Sequence, residues 1–341
     1  MHTIIIAEAG VNHNGDLEMA RKMIKAAKKA GADYIKFQTA NPSLLVSIDA
    51  EKAEYQKKST GAEESQLEML TRLMLPFEDF RILKDECEKE GIGFLSSPFD
   101  LTAIKFLKEL GMDFAKVPSG EITNLPYLRE IAKWGIPVIL STGMAEIVEI
   151  KDAVDILLGK HPSIPSESKL TEKDLYLLHC NTQYPTPYED VNLLGMLHLK
   201  ELFNSRYGYS DHTPGIEVGI AAVALGASVI EKHFTLDRNL PGPDHKASLT
   251  PEELTDLIKS IRNIEKALGV PRKIVTDSER PNINIARKSI VAAGNIKSGE
   301  ILTEENMTCK RSGRGISPME WDNVVGRVAK RDFKKDEPIE L

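Results

Sequence analysis

The sequence is poor in cysteine, has no long apolar run and carries no excess of positive charge. Its three cysteines, Cys87, Cys180 and Cys309, lie far apart and form no CxxC pair, which indicates free thiols in a reducing compartment. The formal net charge of −7 gives no support to a nucleic-acid or anionic-membrane partner. No stretch approaches the roughly 18 apolar residues of a membrane span, and residues 1–10 lack the features of a signal peptide. We therefore expect a cytoplasmic protein.

Several familiar catalytic motifs are also missing. The sequence contains no GxGxxG, P-loop, HExxH or GxSxG, so dinucleotide binding, nucleoside triphosphate binding, zincin chemistry and the α/β-hydrolase fold have no motif to support them. The 341 residues are 41% hydrophobic and 28% charged, which is typical of a soluble globular protein. The length allows about two domains, or one large barrel with a small module.

Short apolar runs alternate with amphipathic helical segments over residues 4–269. Leu17–Ala30 and Gln66–Glu90 are each predicted as one helix that ends at a glycine. Eight strand–helix units in about 270 residues match a TIM (β/α)8 barrel better than a doubly wound sheet. Residues 1–270 are therefore predicted to form the barrel. The predicted strands are Ile4–Ala7, Tyr34–Phe37, Gly93–Leu95, Phe114–Val117, Val138–Leu140, Tyr176–His179, Tyr207–Tyr209 and Ser228–Ile230.

The periodic pattern stops after Gly269. Residues 271–285 are polar and include two prolines, which predicts a linker. Residues 286–341 contain three strand-like pieces, Ser289–Ala292, Glu300–Leu302 and Val324–Val328, separated by turn sequences rich in glycine. We expect a small β-rich module here, one that is short for an independently stable domain.

Polar residues follow all eight predicted strands, at the end of a barrel where active sites form. Lys36 and Lys116 each interrupt an apolar strand, where a buried ammonium group is costly unless an anion meets it. The expected result is a cradle for a phosphate or carboxylate. An alternative is that both lysines pair with Glu8 and Glu121. The serines expected around the same cradle are Ser97, Ser119, Ser141 and Ser210.

Two histidines, His212 and His233, end neighbouring predicted strands. Their imidazoles could share one divalent metal, and Mn²⁺, Fe²⁺, Co²⁺ and Zn²⁺ all accept such ligands. Glu121 stands next to an anion-binding lysine and serine, so it is a candidate proton carrier. Because a polar side chain follows every predicted strand at the same end of the barrel, the pattern favours an enzyme over a structural scaffold protein.

The order and length of these blocks resemble the sialic acid synthase family. The C-terminal residues resemble the antifreeze-like (SAF) domain of that family, so that the likeness runs from about Ile4 to the last residue. The matching blocks are Glu8–Gly15, Lys36–Thr39, Ser97–Asp100, Lys116–Glu121, Ser141–Met144, His179–Pro187, Ser210–His212, Glu231–Thr235 and Gly242–His245, followed by Arg287–Ser289, Lys310–Arg311 and Gly315–Pro318.

The resemblance implies a metal-dependent condensation of phosphoenolpyruvate with N-acetylmannosamine that gives N-acetylneuraminic acid and phosphate. It assigns the metal to His212 and His233, with Mn²⁺ expected and Mg²⁺ or Co²⁺ as alternatives, and it gives supporting catalytic roles to Glu8 and Glu121. Phosphoenolpyruvate is assigned to Lys36, Ser97, Lys116, Ser119, Ser141, Asn181 and Ser210, and the sugar to Gln38, Tyr184, Asp244 and Arg311. Arg311 would act on the barrel of the partner subunit in a domain-swapped homodimer.

One departure from the family pattern leaves the acceptor sugar open. Relatives often carry glutamate in the block Asn-Thr-Glu-Tyr-Pro, where this chain has Gln183, so a carboxylate beside Tyr184 is lost. N,N'-diacetyllegionaminic acid synthases share nearly every block and use 2,4-diacetamido-2,4,6-trideoxymannose. Pseudaminic acid synthases fit less well. A metal-dependent aldolase and a non-catalytic carbohydrate- or ice-binding protein are further alternatives, against which the buried lysines and the complete set of strand-end polar groups argue.

Overall fold

The computed structural model describes residues 2–54, 56–57 and 63–341. The chain forms two compact units, Met1–Gly269 and Val270–Leu341. Within the described ranges, no helix combines the length and the apolar character that crossing a membrane requires.

The first unit is a nearly closed barrel of eight parallel strands. Neighbouring strands pair in the order β3-β2-β1-β8-β7-β6-β5-β4, and the end strands β3 and β4 contact each other. The strands are β1 Ile4–Gly10, β2 Tyr34–Thr39, β3 Gly93–Pro98, β4 Ala115–Val117, β5 Val138–Ser141, β6 Leu175–Cys180, β7 Arg206–Asp211 and β8 Val229–His233. The predicted TIM barrel is confirmed, and each predicted strand overlaps an observed one.

Helices cover the outside of this barrel. They are α1 Leu17–Ala30, α2 Pro42–Leu45, α3 Gln66–Leu73, α4 Phe77–Glu90, α5 Leu101–Leu110, α6 Leu125–Ala132, α7 Ile147–Leu157, α8 Gly195–Leu202, α9 Glu217–Ala224 and α10 Pro251–Ala267. Short 3₁₀ turns span Ser119–Glu121, Glu172–Asp174, Tyr188–Asp190 and His245–Ala247. The prediction of one helix over Gln66–Glu90 is wrong. Pro76 separates α3 from α4, because proline has no amide hydrogen and disfavours helical backbone in the residue before it.

Alternate residues of each strand point into the barrel, as the pleat requires. Near the N-terminal ends of the strands, the inward residues form an apolar cluster of Ile6, Leu95, Phe114, Ile139, Tyr176, Leu178 and Val229. The intervening residues, such as Ile5 and Ile35, pack with the helices. Two positions further along their strands, the inward residues are polar: Ile6 is followed by Glu8 and Leu95 by Ser97. The barrel interior therefore changes from apolar to charged towards the C-terminal ends of the strands.

The second unit is a small β-rich fold, as predicted. Its antiparallel strands are β9 Ser289–Ala292 and β10 Met307–Lys310, and its helices are α11 Arg280–Ala286 and α12 Trp321–Val324, with a 3₁₀ turn at Pro318–Glu320. Its core cluster includes Ile290, Phe333 and Ile339.

Three details of this unit differ from the prediction. Glu300–Leu302 and Val324–Val328 are not strands, since Ile301 and Val328 form only an isolated bridge. Met307–Lys310 is a strand that the sequence pattern did not reveal, because only its first residue is buried and backbone pairing with β9 holds it. The predicted linker contains all of α11 except its last residue, Ala286, and this helix has no buried residue and has Pro281 in its first turn, where proline is well tolerated.

Candidate active site

A cavity lies at the C-terminal ends of the barrel strands. Every strand contributes at least one lining side chain, and most of these are charged or hydroxylated. The strand residues are Glu8, Lys36, Gln38, Ser97, Lys116, Ser141, Cys180, Ser210, Glu231 and His233. The charged inner layer described above thus forms the floor of one pocket.

Lys36 and Lys116 meet carboxylates and serines on this floor. Lys36 Nζ lies 2.9 Å from Glu8 Oε2 and 3.5 Å from Glu231 Oε1, and it donates to Ser97 Oγ at 3.1 Å. Lys116 Nζ lies 3.8 Å from Glu231 Oε2. The remaining hydroxyls are bonded as well: Lys116 donates to Ser141 Oγ at 2.7 Å, Ser210 donates to Glu231 at 3.1 Å, and Ser119 Oγ accepts from the Gly143 amide at 3.0 Å. Two ammonium groups and four serines therefore converge, as the sequence predicted.

Glu231 is the rim carboxylate that sequence reasoning did not assign to the two lysines, although it expected Glu231 to pair within the barrel. The alternative considered above paired the lysines with Glu8 and Glu121, and the structure supplies Glu8 but replaces Glu121 by Glu231. The signal was available in the strand period, because Glu231 lies two residues before His233 and side chains two apart on a strand share a face.

The pKa values of the two floor carboxylates, Glu8 and Glu231, are shifted in opposite directions. Burial raises the pKa of Glu8 to about 7, although Lys36 opposes the shift. Burial also acts to raise the pKa of Glu231, but Lys116 and Lys36 together lower that pKa to about 2. A pair of neighbouring carboxyl groups with separated pKa values can divide the roles of proton donor and fixed negative charge.

His212 and His233 lie side by side at the edge of the floor. Their ring centroids are 5.4 Å apart, and the Tyr184 ring packs on His212 with a centroid distance of 4.1 Å. Burial lowers the pKa of His212 to about 4 and holds the pKa of His233 well below its usual value. Both imidazoles are therefore neutral near pH 7, which is the form that binds metal.

The nitrogen atoms of this pair fit a divalent metal. His212 Nδ1 donates to the carbonyl of Asn181 at 2.5 Å, so the lone pair of the neutral ring lies on Nε2. His233 Nδ1 is buried and has no hydrogen-bond partner among the described residues, and it lies 3.9 Å from Asp244 Oδ2. Among the residues that the structure describes, no group of three or more histidine, cysteine, aspartate or glutamate side chains is arranged to hold a metal ion.

The residues assigned to the sugar divide between the two units. Gln38, Tyr184 and Asp244 all line the cavity, and Gln38 Nε2 lies 3.4 Å from Glu8 Oε1. Burial raises the pKa of Asp244 to about 6. Arg311 belongs to the second unit, so its role stays a prediction.

Within the described barrel unit, two of the predicted site residues, Glu121 and Asn181, do not line the cavity. The Glu121 carboxylate accepts from Asn124 Nδ2 at 2.6 Å. The Asn181 side chain accepts a hydrogen bond from the Gln183 amide and donates one to the Asp190 carbonyl. The backbone carbonyl of Asn181 accepts the hydrogen bond from His212 Nδ1. The roles of Glu121 in proton transfer and of Asn181 in phosphoenolpyruvate binding also stay predictions.

Hydrogen bonds between two loops support the edge of the cavity. Asn12 Nδ2 donates to Ser248 Oγ and to the Phe234 carbonyl, both at 2.9 Å. His245 Nδ1 and Thr235 Oγ1 are 2.7 Å apart. Because these contacts fix the loop that follows β8, they also fix Asp244, which precedes His245.

One side of the cavity is apolar, a feature absent from the sequence-based prediction. This apolar wall consists of Val11, Leu45, Val46, Met69, Leu70, Leu73, Met74 and Phe99. Most of it comes from the connection between β2 and α4. Sequence reasoning that considered strand ends alone could not assign these residues to the site.

Comparison with known proteins gives a consistent result. Residues 23–273 match the NeuB family and residues 287–341 match the SAF domain. The chain is 50% identical to N,N'-diacetyllegionaminic acid synthase of Campylobacter jejuni, over 99% of this chain and 98% of that protein. It is 45% identical to the synthase of the same name from Legionella pneumophila, over 96% of this chain and 90% of that protein.

A solved structure is also similar to this chain. The N-acetylneuraminic acid synthetase of Leptospira borgpetersenii superposes with a TM-score of 0.70 and 36% identity, over 83% of this chain and 90% of that one. The resemblance to the sialic acid synthase family is confirmed. The chain is therefore an enzyme of the NeuB family that carries a C-terminal SAF domain.

Proposed function

We propose that this enzyme condenses phosphoenolpyruvate with 2,4-diacetamido-2,4,6-trideoxymannose to give N,N'-diacetyllegionaminic acid and phosphate. The observation that carries the proposal is the 50% and 45% identity, over nearly the whole chain, to two proteins named as synthases of that product. It favours the alternative acceptor of the sequence analysis over N-acetylmannosamine.

The donor would bind to the charged floor. Phosphoenolpyruvate carries a phosphate and a carboxylate, and the buried ammonium groups of Lys36 and Lys116 offer two fixed cations to them. The hydroxyls of Ser97 and Ser141 already bond these ammonium groups. Because the site is preorganised and dry, such charges stabilise anions far more than exposed lysines do.

His212 and His233 would hold the divalent metal, for which we propose Mn²⁺. When bound, the metal would supply Lewis-acid polarisation of the acceptor aldehyde. Tyr184 packs against both imidazoles and excludes water from one side of the pair. Glu8, with its raised pKa, is close to Lys36 and can exchange a proton as the donor carbon attacks the aldehyde, water adds to the donor, and the C–O bond breaks to release phosphate.

The acceptor would lie between the floor and the apolar wall. Among the described lining residues, the only lysine or arginine side chains are Lys36 and Lys116, and both belong to the floor. A phosphate on the far end of the sugar would therefore have no cation from this chain's described lining to bind. The apolar wall suits a deoxy sugar whose far end is a methyl group.

An acceptor comparison tests the proposal directly. Purified protein with phosphoenolpyruvate and Mn²⁺ is expected to release phosphate at least about tenfold more efficiently, in kcat/KM, with the diacetamido sugar than with N-acetylmannosamine. Mass spectrometry should identify the product as the nine-carbon acid. Absence of phosphate release with both sugars would refute the proposal.

N-acetylneuraminate synthesis is the second candidate. It is favoured by the 36% identity and shared fold with the Leptospira borgpetersenii enzyme. A higher kcat/KM for N-acetylmannosamine in the same assay would select this candidate and reject the first.

Arg311→Ala is expected to raise the KM for the sugar by roughly tenfold while the KM for phosphoenolpyruvate changes little. We propose that this guanidinium reaches the acetamido group of a sugar bound in the partner subunit's barrel, within a domain-swapped homodimer. A hydrogen bond from a charged group is worth about 1.5–3 kcal/mol. Arg314→Ala, three residues away in the same loop, is the matched control. Equal increases in both KM values would contradict the proposed contact.

A further inference from the structure

The helix α3 presents one regular face to the cavity. Gln66, Leu70 and Met74 are spaced four residues apart and all line the pocket, as expected for side chains on one face of a helix. Leu70 and Met74 are partly buried, and both contribute to the cavity lining. The backbone turns extended at Met74, which ends this face.

The buried side of α3, which also borders the cavity, is fixed to the barrel unit. Met69 and Leu73 are fully buried and pack with Val11 in a separate cluster, against which Leu70 and Met74 also pack. Ser65 caps the first turn in a reciprocal box with Glu68. The cavity-facing side chains are therefore held in place.

A close backbone approach fixes the C-terminal end of α3. A Cβ atom on Gly15 would lie 2.5 Å from the Arg72 carbonyl oxygen, and Gly15 has φ of +74°. Only glycine suits both conditions. The loop after β1 thus sets the distance between the floor, where Glu8 lies, and the α3 face.

The Leu70 and Met74 end of this face is apolar, whereas Gln66 at its other end carries an amide. Leu70 and Met74 offer methyl, methylene and thioether groups and cannot accept a strong hydrogen bond. A hydroxyl desolvated against them loses its hydrogen bonds to water, whereas a methyl group in the same place loses none. A buried methyl contact changes kcat/KM by about 10- to 200-fold.

We propose that Leu70 and Met74 select acceptor sugars that end in a methyl group at C6 over those that end in a hydroxymethyl group. The inference deepens the proposed function and rests on it, since it assumes that the acceptor lies between floor and wall. It adds a specificity determinant that lies outside the barrel strands.

The test compares two acceptors that differ by one oxygen atom. With phosphoenolpyruvate and Mn²⁺, the wild-type enzyme is expected to show at least a tenfold higher kcat/KM for 2-acetamido-2,6-dideoxymannose than for N-acetylmannosamine. In the double variant Leu70→Gln/Met74→Gln, this ratio should fall to between one and two. The change should appear mainly in the KM for the deoxy sugar, with the KM for phosphoenolpyruvate altered less than twofold.

Matched controls separate selectivity from damage to the fold. Leu44→Gln introduces the same amide on α2, where the side chain is 57% exposed and does not line the cavity, so it should keep the wild-type ratio. Met74→Leu keeps the apolar surface and should keep it too. Circular dichroism and the urea midpoint of each variant report on folding.

The outcomes distinguish this inference from the proposed function. If the wild type condenses the diacetamido sugar but does not discriminate between the two C6 analogues, or if the double variant keeps the full ratio, the role of α3 is refuted and the proposed function survives. If the wild type rejects the diacetamido sugar, the proposed function is refuted, and the inference fails with it.

Discussion

Lys36→Met is expected to lower kcat/KM for phosphoenolpyruvate by roughly 10²- to 10⁴-fold. Lys36 lies 2.9 Å from Glu8 and 3.5 Å from Glu231, and it is only 3% exposed. Its removal leaves two buried carboxylates facing the anionic donor without their nearest cation. Truncating one partner of a buried charge pair at a binding site costs about 2–5 kcal/mol of binding free energy, and each 1.4 kcal/mol corresponds to about tenfold. Steady-state kinetics with varied phosphoenolpyruvate measures the effect.

Lys232→Met is the matched control for this prediction. Lys232 is also a fully buried strand lysine, but it pairs with Asp211 at 2.8 Å, donates to the carbonyl of Thr213 and does not line the cavity. The urea midpoints of both variants should fall, whereas the KM for phosphoenolpyruvate should change markedly only for Lys36→Met. An equal kinetic loss in both variants would show that general destabilisation, not the lost cation, is responsible.

His212→Ala and His233→Ala are each expected to reduce the Mn²⁺-saturated kcat by at least about 10³-fold. A metal that polarises a carbonyl contributes several kcal/mol to the transition state, and each variant removes one of two neutral imidazoles 5.4 Å apart. The binding of Mn²⁺, followed by electron paramagnetic resonance, should weaken in parallel. Chelation of the wild type should abolish activity, and added Mn²⁺ should restore it.

His198→Ala controls for the loss of an imidazole. His198 lies on α8 with an exposed side chain and does not line the cavity, so its replacement should leave kcat and Mn²⁺ affinity as in the wild type. Full activity of either His212→Ala or His233→Ala in the presence of chelator would remove that histidine from the proposed metal site.

The barrel was predictable because local signals agreed with the tertiary structure. Eight apolar runs and capped helices, such as α1 between Asp16 and Gly31, each indicated their own structure without long-range information. The second unit was less predictable in detail. Its strand Met307–Lys310 buries only Met307, so pairing with β9 rather than any local pattern defines it.

The site was predictable where it depends on strand period and unpredictable where it depends on loops. Lys36 and Lys116 stood out as charges within apolar strands, and their burial confirms that they point inward. Leu70 and Met74 gave no such signal, because an apolar helical residue normally indicates core packing. Only the three-dimensional course of the chain brings α3 to the cavity.

The proposed recognition of donor and acceptor depends on separate parts of the chain. The strands of the barrel, which also carry its stability, supply the cations proposed for the donor, whereas the connection between β2 and α4 supplies most of the wall. If this wall selects the acceptor as we propose, we expect exchange of the connection to change the acceptor while the barrel scaffold stays the same. Grafting it between relatives is the corresponding route to engineering new nine-carbon acids.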